Sequence, residues 1–350
     1  MKNVEGGGPL VSICIPTYNS EATLQRTLTS IVAQTYRNLS IVVVDNASVD
    51  HTVAIARELC DSRIEVHVNE TNIGAGRNFV HCIELARGKY TAIYHADDLY
   101  EADIVAKEVA FLEGHPEAGA ISTGALVIDE NDNVIKSSPI CPIPSRFRST
   151  ESTQCFDFDA IFKGILRHSN FLLTPSIMVR TDIYHNESCR WREDQFGSSV
   201  DLFVWLEILR SYQFGICSEP LMRYRVSVNQ GSQSVRTRLE RADIFRVLDY
   251  YTAQQEMAGH LSHREKRDYL RLQRTDRAVR AMNCLTLGKL DDALTLTTDI
   301  FSRDSFVAAL TGMRAMQTLL LGGLVRFMAV CKMDSISRKI LACVRMRMYR

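Results

Sequence analysis

The sequence predicts an α/β protein with a mixed, largely parallel sheet flanked by helices and an α-helical C-terminal region. Three observations carry that reading. Short apolar runs alternate with helix-period segments from Leu10 to Phe111, the rhythm of βαβ units. The runs are apolar almost throughout, as strands covered on both faces are. From about Val235 the pattern is helical to the end, which sets an expected boundary near Gly231 between segments 1–231 and 232–350.

The first run, Leu10-Val11-Ser12-Ile13-Cys14-Ile15-Pro16, reads as a buried strand closed by Pro16 and the turn residues Asn19 and Ser20. Leu24, Leu28, Ile31 and Val32 recur at helical spacing and predict an amphipathic helix to about Gln34. Leu39 to Asp45 is a second buried strand ending in a carboxylate. Asp50 is a good N-cap for a helix through Val53, Ala54, Ala56 and Leu59. Ile64 to Val68 alternates as a third strand. The turn Asn72-Ile73-Gly74-Ala75-Gly76 leads into a helix from Arg77 to Ala86, stopped by Gly88. Tyr90 to Ala96 is a fourth strand that delivers Asp97 and Asp98, and a charge-rich helix follows from Glu101.

Beyond Phe111 the rhythm changes. A strand is expected from Ala118 to Ile128, then a turn over 129–133 and a short partner from Val134 to Lys136. Ser137 to Ser152 is rich in Pro and Ser and reads as a long loop near a site. Ser176 to Val179 is strand-like, 191–199 is a polar, mobile segment, and a helix opens at Val200. Gln213 to Cys217 and Leu221 to Val226 look like a closing strand pair around Pro220. Helices are expected at 236–258, 263–286, 289–301 and 304–331.

The totals exclude several classes. Lys plus Arg (41) balances Asp plus Glu (41), which argues against nucleic acid as the partner. The ten cysteines show no Cys-x-x-Cys spacing; Cys14 and Cys82 sit in apolar patterns as buried hydrophobes. A reducing, cytoplasmic setting is expected, and Met1 to Pro9 lacks the apolar core of a signal peptide. Gly74-Ala75-Gly76 is not a dinucleotide fingerprint, so a classical dehydrogenase is disfavoured. Near the C-terminus, the apolar segment Ala315 to Val325 is flanked by Arg314 and Arg326, and is shorter than the roughly 20 residues that span a bilayer. After it come Lys332, Arg338, Lys339, Arg345, Arg347 and Arg350, with Asp334 the only acid. Such an end suits an anionic membrane surface, peripherally at the inner face of the cell membrane. The competing reading is a buried helix–helix core with a solvated basic tail.

The chemistry starts at His95-Ala96-Asp97-Asp98. Ligands of open α/β sheets bind outside the carboxyl ends of the strands, and paired carboxylates there suit a divalent cation with a phosphorylated substrate. The plain alternative is that Asp98 caps the next helix and Asp97 is a solvated turn residue.

Several stretches jointly resemble family 2 glycosyltransferases of the GT-A fold. They are Val11-Ser12-Ile13-Cys14-Ile15-Pro16-Thr17-Tyr18-Asn19, Val42-Val43-Val44-Asp45-Asn46-Ala47-Ser48-Val49-Asp50, Asn72-Ile73-Gly74 with Arg77-Asn78, Ala96-Asp97-Asp98, Asp201 four residues before Trp205, and Glu219-Pro220-Leu221-Met222-Arg223-Tyr224-Arg225. The resemblance spans about residues 9–235 and rests on the order and spacing of the motifs. It implies inverting transfer of a sugar from a nucleoside-diphosphate sugar, here a UDP-sugar, to an acceptor hydroxyl, assisted by Mn2+ or Mg2+.

The resemblance also distributes roles. Pro16, Thr17, Tyr18 and Asp45 match the positions that hold the nucleoside, and Arg77 is placed to meet diphosphate oxygens. Asp97 matches the metal ligand, with His95 where the family often has another acid; Asp98 and Arg225 are assigned to the donor side, Asp98 as a supporting partner. Asp201 matches the base that deprotonates the acceptor, although Val200 replaces the Glu usual before it; Glu193 and Asp194 are rival carboxylates. Ser227 stands where His is common, and Gln230 to Ser234 reads as a lid. The acceptor is expected to be a saccharide or lipid-linked glycan. Two rivals remain: a sugar-phosphate nucleotidyltransferase, which would carry a glycine-rich basic loop after the first strand, and a nucleotide-sugar-binding scaffold without catalysis.

Overall fold

The computed structural model describes residues 7–135, 143–148, 153–226, 237–254 and 261–332. Ser227, the expected lid at Gln230 to Ser234, most of the expected loop at Ser137 to Ser152 and the basic end after Lys332 lie outside the described residues. Two compact units result, one of residues 1–162 with 170–227 and one of 163–169 with 228–350.

In chain order the first unit runs β1 (Val11–Thr17), α1 (Leu24–Val32), β2 (Leu39–Asp45), α2 (Thr52–Glu58), β3 (Ile64–Val68), α3 (Ala75–Leu85) and β4 (Tyr90–Ile93). Then follow β5 (Leu99–Tyr100), α4 (Ile104–Gly114), β6 (Ala118–Ile128), β7 (Thr153–Phe156), α5 (Phe158–His168, which from Lys163 onward belongs to the second unit), β8 (Ile177–Arg180), α6 (Thr181–Tyr184), α7 (Glu193–Phe196), α8 (Val200–Leu209) and β9 (Gln213–Arg225). The strands form one sheet in the order β3-β2-β1-β4-β8-β6-β9-β5, with β7 pairing β9. β3, β2, β1 and β4 are parallel, while β8 is antiparallel to both β4 and β6. The mixed sheet flanked by helices is therefore as expected, with parallel pairing over β3, β2, β1 and β4 and between β6 and β9.

Burial explains the apolar runs. Val11, Ile13, Cys14 and Ile15 of β1 are wholly buried, as are Ile41, Val43 and Val44 of β2. α1 covers them with Leu24, Leu28 and Ile31. The buried Ser12 is satisfied, because its Oγ accepts from the Arg87 and Gly88 N–H groups at 3.0 and 2.8 Å.

Some elements differ from expectation for visible reasons. β9 is one continuous strand through Pro220, tolerated because its pairing with β6 shifts register on both sides of the Gly124–Pro220 pair, so Pro220 sits in a bulged part of β9. Segment 191–199 contains a helical turn, anchored by buried Phe196 stacked 4.3 Å from Phe203. β7 and α5 occupy a stretch to which the sequence pattern assigned nothing. Among the described residues of the expected partner at Val134 to Lys136, Val134 forms an isolated bridge to Ile128.

The second unit holds α9 (Ile244–Ala253), α10 (His263–Thr286), α11 (Leu290–Thr298), α12 (Arg303–Thr311) and α13 (Met313–Val330). A capping box starts α10, with the Ser262 N–H donating to Glu265 and the Arg264 N–H donating to Ser262 Oγ. The helix expected over 304–331 is broken at Gly312, which is extended at φ −151°. α13 is long and apolar enough by length and composition to cross a membrane, with a third of it buried. Its Leu321, Val325, Met328 and Ala329 pack against Ala278, Ala281, Met282 and Leu285 of α10.

Candidate active site

β4 stops at Ile93, three residues short of the expected Ala96. The Tyr94 N–H still reaches the Cys14 carbonyl at 2.9 Å, and its ring stacks on Tyr100 at 3.7 Å. The Tyr100 hydroxyl accepts from the His95 N–H at 2.8 Å. Thr23 and Thr27 of α1 each donate to the Ala96 carbonyl at 2.9 Å, and Thr27 also reaches the Asp98 carbonyl at 2.8 Å. The turn from His95 to Asp98 is thus pinned from both sides.

Ligand atoms of His95, Asp97 and Asp98 lie within 4.8 Å of one another. His95 Nδ1 is 3.9 Å from Asp98 Oδ2. His95 Nε2 and Asp98 Oδ2 are both buried and have no hydrogen-bond partner among the described residues, although buried polar atoms are normally paired. Two orphaned atoms in one cluster of carboxylates and imidazole fit a divalent cation. Burial lowers the His95 pKa against the pull of Asp97 and Asp201, which favours the neutral imidazole that can ligate. Burial and the charge of Asp97 push Asp98 well above the usual carboxylate range.

Arg225 takes an internal position rather than facing a phosphate. Its side chain is 2% exposed. Nε donates to the Asp97 carbonyl at 2.7 Å, Nη1 to the Asp129 carbonyl at 2.8 Å and Nη2 to Asp132 Oδ1 at 2.5 Å. Its backbone N–H donates to Asp98 Oδ1 at 2.8 Å. The arginine fixes the acidic turn by tying it to β9 and to the turn after β6. Asp98, wholly buried, belongs to that same tie.

Asp201 is the second residue of α8, a helix buried on nearly all sides, with Trp205 in the core beside Phe214 and Tyr184. Thr174 donates to Asp201 Oδ2 at 2.5 Å, and the Leu202 N–H reaches Oδ1 at 2.7 Å. Burial nevertheless raises the Asp201 pKa; the Thr174 and Leu202 bonds and His95 oppose it. His95 interacts electrostatically with both Asp97 and Asp201, so the acidic turn and the α8 carboxylate act on one imidazole through space. The rival carboxylates Glu193 and Asp194 lie exposed on α7. Glu193 packs against α3, where a Cβ on Gly76 would fall 1.9 Å from its Oε2.

Strand register sets the other end of the site. Pro16 lies opposite Val44 and Thr17 opposite Asp45. Asp45 is wholly buried, accepting from Thr17 Oγ1 at 2.9 Å, Ser48 N at 2.8 Å and Ser48 Oγ at 2.6 Å. Three of its roughly four acceptor positions are filled. Tyr18 is half exposed, and Arg77 is exposed in the first turn of α3. The turn before α3 is shaped by asparagines. Asn46 accepts from Asn69 and the Ile73 N–H and donates to Asn72, Asn69 also donates to Asn78, and Asn78 donates to the Val44 carbonyl.

Sequence reading missed Thr174, the asparagine network, Asp129, Asp132, and the aromatic wall in which Phe79 meets His95 edge-on at 5.8 Å and Trp191 at 5.4 Å. The recurrence of Asn69, Asn72 and Asn78 after a strand was a usable signal. Thr174 carried none, since it meets Asp201 across 27 residues.

Comparison with known proteins adds a second line. The profile of Glycosyl transferase family 2 matches residues 12–171. The chain is similar to the Putative glycosyltransferase EpsE of Bacillus subtilis, 38% identical over 126 residues. That match covers 35% of this chain and 45% of EpsE, so the chain spans about half the length of that relative. The Uncharacterized glycosyltransferase MJ1057 of Methanocaldococcus jannaschii is 30% identical over 223 residues, covering 62% of this chain and 71% of that protein. Among solved structures, S. aureus TarS 1-349 in complex with UDP-GlcNAc superposes with TM-score 0.58 at 16% identity, covering 91% of each chain. Mannosyltransferase PcManGT from Pyrobaculum calidifontis, in complex with GDP-Man and Mn2+, superposes with TM-score 0.52 at 16% identity, covering 93% of this chain and 87% of that one. At these identities the two structures speak for the fold.

Proposed function

The chain belongs to Glycosyl transferase family 2, and on that premise we propose that it transfers a sugar with inversion from a UDP-sugar to an acceptor hydroxyl in glycan assembly. The carrying observation is the His95, Asp97 and Asp98 cluster, whose ligand atoms lie within 4.8 Å of one another, together with the buried Asp201 of raised pKa that interacts with His95. A nucleotide-sugar donor is supported by the likeness to proteins crystallised with UDP-GlcNAc and with GDP-Man.

Asp201 is the base. Thr174 holds its Oδ2, and the carboxylate takes the acceptor proton while the hydroxyl oxygen attacks the anomeric carbon. Burial makes ionised Asp201 a stronger base than an exposed carboxylate. Attack from the face opposite the leaving diphosphate inverts the anomeric centre. Asp97, with His95 and Asp98 beside it, would hold Mn2+ or Mg2+, whose charge stabilises the departing diphosphate. A neighbour crystallised with Mn2+ supports that assignment. Thr17 and Asp45 bind the nucleoside with Pro16 and Tyr18 as its floor, and the exposed Arg77 meets the diphosphate. Arg225 acts from behind, holding the turn.

The acceptor is a saccharide or lipid-linked glycan, presented at the cytoplasmic face of the cell membrane. Support for the membrane comes from the exposed apolar residues of α12 and α13, Phe306, Leu310, Met313 and Leu320 among them. The test combines binding with turnover. Nucleotide sugars are screened by thermal shift with and without Mn2+ or Mg2+, since a ligand of the native state raises Tm. Asp201→Asn should keep the donor-induced shift and lose transfer, while Asp97→Ala should lose the metal-dependent part of the shift. Near-normal transfer by Asp201→Asn would remove Asp201 from the mechanism.

A further inference from the structure

The helical unit holds a cleft of about 430 Å³ whose walls differ sharply in character. One wall is cationic, formed by Arg264, Arg267, Arg271 and Arg274 of α10 with Arg167 at the end of α5. The four on α10 follow a spacing of three and four residues, which stacks them on one helix face. Like charges so placed repel one another, and among the described residues the lining contains a single acid, Asp268. Asp268 is engaged with Arg271 at 3.3 Å. Among the described residues no carboxylate pairs with Arg167, Arg264, Arg267 or Arg274. Elsewhere on α10 the arginines are paired, Arg277 with Asp299 and Arg280 with Asp276. Burial lowers the Arg271 pKa, and Arg167 and Arg314 add to that effect while Asp268 opposes it. The cleft therefore concentrates uncompensated positive charge.

The lining contributed by α12 and α13 is largely apolar, with Val307, Ala308, Ala315 and Leu319, and Leu270 of α10 adds to it. The apolar character continues outward. Val307 and Phe306 are about half exposed, Leu310 is 82% exposed and Met313 78% exposed. Guanidiniums recognise phosphate oxygens in fork geometry, whereas a free phosphate has no use for an apolar wall and rim.

We propose that this cleft binds the phosphate of an anionic lipid at a membrane surface, the arginines on the headgroup oxygens and the apolar wall on the first carbons of its chain. The inference rests on the membrane-face part of the proposed function and is independent of sugar transfer. α12 and α13 would then lie at the interface with their exposed apolar residues among the headgroups, as amphipathic helices do.

The test uses the full chain in co-sedimentation with phosphatidylcholine vesicles, with and without phosphatidylglycerol. The wild type should bind only the anionic vesicles. Arg267→Gln/Arg274→Gln should weaken that binding roughly 30-fold, at about fivefold per arginine near an anionic surface. Leu310→Asp, at an exposed position, should weaken vesicle binding while leaving any thermal shift by inorganic phosphate intact. Arg57→Gln/Arg87→Gln removes the same charge from exposed positions of the first unit and should change little. Equal losses in both double variants would reduce the effect to net charge and overturn the proposal. So would a thermal shift by inorganic phosphate or pyrophosphate without vesicle binding, which would make the ligand a soluble phosphate. The donor-induced thermal shift is measured on every variant. Vesicle binding that survives in a protein unresponsive to nucleotide sugars would leave the cleft assigned and the transfer reading refuted.

Discussion

Thr174→Val tests the identity of the base through its pH dependence. The Thr174 hydroxyl donates to Asp201 Oδ2 at 2.5 Å and favours the ionised carboxylate against the burial that raises its pKa. A hydrogen bond to a charged group is worth about 1.5–3 kcal/mol. Its removal shifts the Asp201 equilibrium towards the acid by that amount, so the ionised fraction on the acid limb falls roughly 10- to 150-fold. The assay is kcat/KM for nucleoside-diphosphate release from the donor, measured from acid to alkaline pH. The acid limb should move to higher pH in the variant, and the alkaline plateau should fall far less than the limb. Stability follows the same sign. A carboxyl whose folded pKa is raised keeps its full contribution below the unfolded value and loses it as pH rises through the folded one. The variant should therefore lose more stability than the wild type on going from acid to neutral pH. An unmoved acid limb, or equal loss at every pH, would show that the limb reports some other group.

Two structural predictions accompany it. Arg225→Met removes a buried guanidinium from Asp132 and from the Asp97 and Asp129 carbonyls, and should cost about 3–5 kcal/mol in urea unfolding; a loss below about 1 kcal/mol would deny its role in holding the turn. Gly88→Ala puts a Cβ 2.6 Å from the Ser12 nitrogen, 2.7 Å from the Leu10 oxygen and 2.8 Å from the Tyr90 oxygen. All three are backbone atoms and cannot swing away, so a loss of about 1–3 kcal/mol or more is expected, read as a lower urea midpoint at unchanged slope.

Gly88 also illustrates what the sequence could and could not say. Its position after a helical run reads as a helix stop, yet α3 has already ended at Leu85. Gly88 is there because the chain passes too close to β1 for any side chain. Local patterns were legible wherever burial is set by neighbours in sequence: the apolar strands, the stripe of Leu24, Leu28 and Ile31, the buried Cys14 whose thiol is pushed up to about 12. They failed where a distant partner decides. A Pro in β9 reads as a break until the bulging of β9 on either side of its pairing with Gly124 is known. Polar residues 191–199 read as loose until Phe196 is seen against Phe203.

The His95 to Asp98 turn divides the two sources of information most clearly. The sequence alone determined that adjacent carboxylates closely follow an apolar strand, and that Asp201 stands near the start of a helix four residues ahead of Trp205, because spacing along a chain is covalent. Tertiary structure decided what those groups do to one another. Arg225 is 128 residues from Asp97 in the chain and closes on its carbonyl at 2.7 Å. Thr174 reaches Asp201, and His95 feels Asp97 and Asp201 together. Charge, burial and hydrogen bonds act through space, over a few ångströms, and the fold alone sets which residues share that distance.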